Sequence, residues 1–84
     1  MVQEYEKVFM TTLHTKLKGK IKAGIDIRIY NDVINVNIIR DGEVDYTYEI
    51  KDFANKLLHN YTTDYAVYEI VNAYRKYVLV GHFY

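Results

Sequence analysis

The side chains that most often carry chemistry in proteins are few and scattered in this 84-residue sequence. Its three histidines, His14, His59 and His82, fall on separate segments, and none has the short spacing to a second ligand that zinc sites use. The sequence contains no Cys and no Ser, so disulfides, thiolate ligands and thiol or serine nucleophiles are excluded. We therefore predict no catalytic residue, no metal site and no cofactor, and a function that is not enzymatic.

Charge is unevenly distributed along a chain whose formal net charge is zero. Residues 1–24 have a net charge of +3, residues 25–52 of −4 and residues 53–84 of +1. A neutral chain has no overall basic field for nucleic acid, so we predict that nucleic acid is not its partner. Two local clusters remain as candidates, an acidic one in the middle and a basic one formed by Lys16, Lys18, Lys20 and Lys22.

Apolar residues recur every four positions through the first third of the chain, as on one face of a helix. They are Tyr5, Phe9, Leu13, Leu17 and Ile21. This spacing predicts a helix as far as about Gly24, a residue type that commonly follows a helix end. Gly19 could end the helix earlier, and the alternation of Ile21, Ala23 and Ile25 could start the next strand sooner.

Three stretches in the middle, residues 25–30, 34–38 and 44–50, alternate apolar and polar residues and are predicted to be half-buried strands. A two-residue loop after Tyr30 pairs it with Val33 and keeps the apolar residues on one face. For the second turn, a two-residue Asp-Gly loop would place Ile38 opposite Asp45 and mix the faces. We therefore predict a three-residue loop, Arg40-Asp41-Gly42, with Gly42 in the left-handed region and Ile38 opposite Val44.

The last third is predicted to be helical. Residues 53–61 have one apolar stripe, residues 62–64 (Thr-Thr-Asp) supply a break and an N-cap, and a second apolar stripe continues to Gly81. The prediction is a single α+β domain, residues 1–84, in the order α-β-β-β-α-α. Its three-stranded antiparallel meander has the helices packed on one face. With no apolar run of membrane-spanning length and no signal-peptide pattern, we expect a cytoplasmic protein and no membrane partner.

The predicted register leaves one polar sheet face uncovered by helices. It groups several acids and an aromatic there or at the adjacent hairpin tip: Asp26, Tyr30, Asp41, Glu43, Asp45 and Glu49. These residues are the predicted partner-binding site, because acids, amides and a few apolar groups are typical of a protein interface. An ordinary solvated sheet face is the alternative interpretation.

Two segments carry a resemblance to a known group of proteins. With IDIRIYND at 25–32 and TDYAVYEI at 63–70, the region 24–78 resembles small proteins encoded by phages and prophages of Gram-positive bacteria. The predicted topology also resembles one class of anti-CRISPR protein that inhibits the type II guide-RNA nuclease. Those inhibitors are small and cysteine-free, and use acidic loops and sheet edges to occupy the PAM-reading site as DNA mimics. The neutral net charge of this chain departs from that class.

The resemblance implies a phage-type accessory protein that acts by binding in the host cytoplasm. The leading hypothesis is an inhibitor of a bacterial defence nuclease that occludes a basic, nucleic-acid-binding groove of its protein partner. One alternative is a small nucleic-acid-binding regulator that uses the four lysines at 16–22. Another is a homodimer or larger structural assembly formed through the Tyr-rich last helix, which contains Tyr65, Tyr68, Tyr74 and Tyr77.

Overall fold

A computed structural model describes residues 3–81 and has the predicted α+β order. The elements are α1 (Glu4–Lys18), β1 (Gly24–Tyr30), β2 (Val33–Arg40), β3 (Glu43–Ile50), α2 (Phe53–Leu58) and α3 (Thr63–Gly81). The strands form one antiparallel sheet in the order β1-β2-β3, which confirms the meander. His82, one of the three histidines considered above, lies outside the described residues. None of the described helices is long and apolar enough to cross a membrane.

The first helix ends earlier than predicted, so the predicted end near Gly24 was wrong and the alternative end at Gly19 is the one observed. It stops at Lys18, and Gly19 follows as the capping residue. The backbone N–H groups of Lys20 and Ile21 both donate to the Leu17 carbonyl oxygen, at 2.9 and 2.8 Å, and close the last turn. Ile21 lies in the segment that connects α1 to β1. It is buried there, which explains why the four-residue apolar spacing continues beyond the end of the helix.

The first hairpin confirms the predicted two-residue loop. Tyr30 pairs with Val33, and every pair along the two strands follows the predicted register. Asn31 and Asp32 both have positive φ, 49° and 62°, as a type I′ turn requires. Residues that tolerate the left-handed region therefore occupy both central positions of the turn.

The second hairpin does not have the predicted three-residue loop. Arg40 pairs with Glu43 across a two-residue Asp-Gly turn, with Gly42 at the predicted positive φ of 79°. Ile38 lies opposite Tyr46, whereas the prediction placed it opposite Val44. Asp45 is thus the extra residue of a β-bulge. The apolar residues of β3 after the bulge therefore lie on the same side of the sheet as the buried apolar residues of β2. The prediction attributed this alignment to a three-residue loop.

All three helices cover the same face of the sheet, as predicted. α1 packs against α3 and β1, and α3 packs against β3. Their apolar stripes and the inner strand residues form one core: Phe9, Leu13, Leu17, Ile21, Ile25, Ile34, Val36, Ile38, Ile50, Phe53, Ala66, Val67, Ile70 and Tyr74. The opposite side of the sheet has no helix from the described part of the chain.

Candidate functional site

The uncovered side of the sheet, called here the outer sheet face, follows from the observed register. Its residues are Asp26, Arg28, Tyr30, Val33, Asn35, Asn37, Ile39, Val44, Thr47 and Glu49. Apolar groups lie toward its two ends, where Tyr30 is 73% and Val44 58% exposed. The outer sheet face thus combines large exposed side chains with polar groups, a mixture that protein interfaces also have.

A row of hydrogen bonds crosses the middle of the outer sheet face. Thr47 Oγ1 donates to Asn37 Oδ1 at 2.7 Å, and Asn37 Nδ2 donates to Asp26 Oδ2 at 3.4 Å. The same carboxylate oxygen lies 3.1 Å from Arg28 Nε. Asp26 is therefore compensated within the face, and the row connects side chains of all three strands.

The six predicted partner-binding residues do not form one surface. Asp26, Tyr30 and Glu49 lie on the outer sheet face, and Asp41 lies in the β2–β3 turn. The predicted position on the outer sheet face was wrong for Glu43 and Asp45. Glu43 pairs with Arg40, so it shares the helix-facing side of the sheet, and Asp45 is turned toward α3 by the bulge.

Asp45 is the acceptor of a polar cluster that joins the sheet to α3. The bulge cluster consists of Arg40, Asp45, Tyr74 and Tyr77. The Tyr74 hydroxyl donates to Asp45 Oδ2 at 2.8 Å, and the Tyr77 hydroxyl lies 3.4 Å from Oδ1. Arg40 Nε donates to the Tyr74 hydroxyl and lies 3.7 Å from the Asp45 carboxylate.

Contacts within the bulge cluster raise the pKa values of two of its members, Tyr77 and Arg40. The negative charge of Asp45 raises the pKa of the Tyr77 phenol, and burial adds to this effect. The hydrogen bond with Tyr74 raises the pKa of the Arg40 guanidinium. Both shifts favour the protonated forms that these two groups already have at neutral pH, so a neutral phenol and a charged guanidinium make the contacts of the cluster.

A second polar contact holds α3 near its start. The Tyr61 hydroxyl donates to Glu69 Oε1 at 2.7 Å. Burial raises the pKa of the Tyr61 phenol, and its hydrogen bond to Glu69 raises it further. Beside it, the Tyr65 and Tyr68 rings stack with centroids 6.4 Å apart, on an exposed part of α3.

The four predicted lysines have different roles in the structure. Lys16 Nζ lies 2.6 Å from Asp64 Oδ1 and donates to Thr63 Oγ1 at 2.9 Å. Lys18 Nζ donates to the Ala23 carbonyl at 2.7 Å. Within residues 3–81, no carboxylate lies within 4.0 Å of the other two lysines, at positions 20 and 22. The basic stretch therefore splits into two structural lysines and two that remain available.

A groove between α1 and α3, called here the basic groove, has a volume of about 600 Å³. It is lined by Thr15, Lys16, Gly19, Lys20, Asp64, Val67, Tyr68, Val71, Asn72 and Arg75. Tyr68, Asn72 and Arg75 did not appear among the predicted site residues. Because these residues are four and three positions apart, they lie on one stripe of α3 beside its apolar stripe. That spacing is the sequence signal that could have identified them. Their nearness to Lys20 depends on helix packing.

Comparison with protein-family models, with curated proteins and with solved structures gives no match for this chain. The described residues contain no group of three histidine, cysteine or acidic side chains that could hold a metal ion. His14 Nε2 lies 3.0 Å from the Ile25 carbonyl oxygen, and His59 Nδ1 lies 2.8 Å from that of Asn55. Both imidazoles are thus in hydrogen-bond contact with the backbone.

Proposed function

We propose that this chain is a phage-type accessory protein that acts by binding, without enzymatic activity, through its outer sheet face. The observation that carries the proposal is the composition of that face. All described helices lie on the other side of the sheet, and the outer sheet face combines a hydrogen-bonded polar row with exposed apolar groups. Its Tyr30 side chain, 73% exposed, is the kind of aromatic that anchors protein interfaces.

Charge indicates the kind of partner. Asp41, Glu43 and Glu49 have no Lys or Arg nitrogen within 4.0 Å among residues 3–81. They extend along β3 from its turn toward its end, so this edge of the sheet is acidic although the chain is neutral. An acidic edge complements a basic groove, and complementary charge increases the association rate and the specificity of a complex.

The partner proposed from this charge pattern is a bacterial defence nuclease, in the host cytoplasm. The resemblance to phage proteins and to small type II anti-CRISPR inhibitors supports that class. In this mechanism the outer sheet face covers a basic nucleic-acid-binding groove and blocks it sterically. Glu49 on that face and Asp41 in the β2–β3 turn contribute the charge. Glu43 and Asp45 do not, because Glu43 lies on the helix-facing side of the sheet and the bulge cluster already uses the Asp45 carboxylate.

The test is DNA cleavage by a panel of purified type II guide-RNA nucleases from Gram-positive bacteria, with the chain added at increasing concentration. The variant Tyr30→Ala with Glu49→Lys alters the outer sheet face. The matched control, Tyr5→Ala with Glu4→Lys, makes the same chemical change at exposed positions of α1. We expect inhibition by the wild type and control, and an inhibitory affinity weakened at least about ten-fold, or 1.4 kcal/mol, in the face variant.

Two results would contradict the proposal in different ways. If the wild-type chain neither binds nor inhibits any nuclease of the panel, the inhibitor function is wrong. If the face variant inhibits as well as the control, the partner binds another surface. Circular dichroism of both variants must show the wild-type spectrum for either conclusion.

A further inference from the structure

The basic groove lies on the helix side of the molecule and has no part in the function proposed above. It is lined only by α1, the Gly19-Lys20 segment and α3. The outer sheet face is on the far side of the sheet, so a ligand in the groove and a partner on that face would not compete. The groove is therefore a separate candidate site.

The walls of the basic groove carry cations that the fold does not neutralise. Lys16 is engaged by Asp64, which compensates one charge. Lys20 and Arg75 are exposed, and within residues 3–81 no carboxylate lies within 4.0 Å of either. Two available cations from different elements thus line one groove. A planar guanidinium beside an ammonium is a favourable arrangement for a phosphate.

The remaining lining of the groove is suited to a flat ring. Val67 and Val71 provide apolar surface on α3, and the Tyr68 ring is 64% exposed beside them. An exposed tyrosine ring can stack on a nucleobase, a contact worth about 1–3 kcal/mol per base. Asn72, half-buried in the same lining, supplies an amide that can donate and accept hydrogen bonds at a base edge.

The length of the groove agrees with a ligand that has both a phosphate and a flat ring. Asp64 and Arg75 both line it and are eleven residues apart on α3, which corresponds to about 16 Å along the helix. A bare anion would leave the apolar lining unused, and an apolar ligand would leave two cations unpaired. Duplex DNA needs many more cations than these for useful affinity at physiological salt.

We propose that the basic groove binds a nucleoside phosphate, either free or as part of a single strand. The phosphate lies between Lys20 and Arg75, and the base lies over Val71 with Tyr68 against its face. The small number of cations predicts weak binding that depends on salt. One phosphate neutralised by the two cations corresponds to a slope of about −0.7 in log affinity against log salt for a single strand.

The test uses the full chain and four probes: AMP, a fluorescein-labelled ten-nucleotide single strand, inorganic phosphate and a labelled ten-residue glutamate peptide. Binding is measured by calorimetry or anisotropy between 20 and 200 mM salt. The groove variant is Lys20→Gln with Arg75→Gln. Its matched control is Lys22→Gln with Lys76→Gln, which removes the same charge from exposed positions outside the groove.

We expect the groove variant to weaken binding of AMP or the single strand at least about ten-fold, and to flatten the salt slope measured with the single strand by about 0.7. The control should change affinity less than about two-fold. Tyr68→Ala should weaken the nucleotide probes and leave inorganic phosphate unchanged, because only the base contacts the ring. AMP that displaces the strand identifies the free nucleotide as sufficient, whereas binding of the strand alone identifies the polymer.

Three outcomes would overturn the proposal. One is the absence of binding by AMP and the single strand at millimolar protein and low salt. Another is equal weakening by the groove variant and its control, which would indicate non-specific charge attraction. The third is tighter binding of the glutamate peptide than of either nucleotide probe, which would identify the groove as a site for acidic protein segments. None of these outcomes depends on nuclease inhibition.

Discussion

Replacing Asp45 by alanine is expected to lower the free energy of unfolding by about 2 kcal/mol, although sequence patterning places this acid on a solvent-facing strand position. Its carboxylate accepts a hydrogen bond from the Tyr74 hydroxyl at 2.8 Å and lies near the Tyr77 hydroxyl and Arg40. Removing it leaves a phenol on a residue that is only 5% exposed without its acceptor. The strand and the last helix then lose their main polar connection.

The magnitude follows from how exposed each contact is. A hydrogen bond to a charged partner contributes about 1.5–3 kcal/mol. The Asp45 side chain is 29% exposed, which places the Tyr74 contact at the low end of that range. The ion pair with the half-exposed Arg40 side chain and the longer Tyr77 contact add only a few tenths of a kcal/mol each. For a domain of this size the total corresponds to a decrease in Tm of roughly 8–16 °C.

The assay is urea unfolding followed by circular dichroism, with Glu49→Ala as the control. Glu49 is an exposed acid on the same strand without a basic partner in the described part of the chain, so its loss should be nearly neutral. A double-mutant cycle with Tyr74→Phe should give a coupling energy of about 1 kcal/mol or more. If Asp45→Ala and Glu49→Ala are equally stable, Asp45 faces solvent and the bulge assignment is refuted.

Three further changes test other parts of the fold by the same unfolding measurement. Gly42→Val should destabilise by about 1 kcal/mol or more, because a β-branched residue is strained at positive φ, and an unchanged Tm would contradict that backbone geometry. Thr62→Ala should cost about 1 kcal/mol, because Thr62 Oγ1 accepts the Tyr65 N–H at 3.1 Å and caps α3, and a neutral result would show that this cap is dispensable. The folded-state pKa of Tyr61 is raised above the ordinary tyrosine value of 10.0, so its contribution to stability is complete below pH 10 and is lost as pH rises further. Tyr61→Phe should make the alkaline decrease in stability smaller, and an identical decrease in both proteins would assign it to other groups.

The sheet could be predicted largely from local pattern. Alternation of apolar residues located all three strands, and the Asn31-Asp32 turn set the first register because both residue types tolerate positive φ. The end of α1 could not be read in this way. Ile21 extends the helical spacing by coincidence, since a buried residue in a connecting segment gives the same pattern as one on a helix.

The candidate sites depended on information that alternation does not contain. A shift of one residue reverses the side of the sheet on which a side chain lies, so the bulge removed Asp45 from the predicted acidic face. The two-residue turn placed Glu43 opposite Arg40 in the same way. The basic groove joins Lys20 to Arg75, which are distant in sequence, and only the packing of α1 on α3 brings them to one groove.

Polar groups favour the observed register of the second hairpin, although it places Val44 on the outer sheet face. Both registers keep Tyr46, Tyr48 and Ile50 on the helix-facing side. In the predicted register Asp45 would share a row with Asp26, placing two carboxylates on one face, and Tyr74 would have no carboxylate acceptor on the sheet. In the observed register the Asp-Gly pair adopts its preferred two-residue turn, and the bulge carries Asp45 to Tyr74. The ladder is interrupted at one residue, whereas the Tyr74 phenol gains a carboxylate acceptor. The same bulge therefore fixes the turn, docks α3 and leaves the outer sheet face with Asp26 compensated by Arg28.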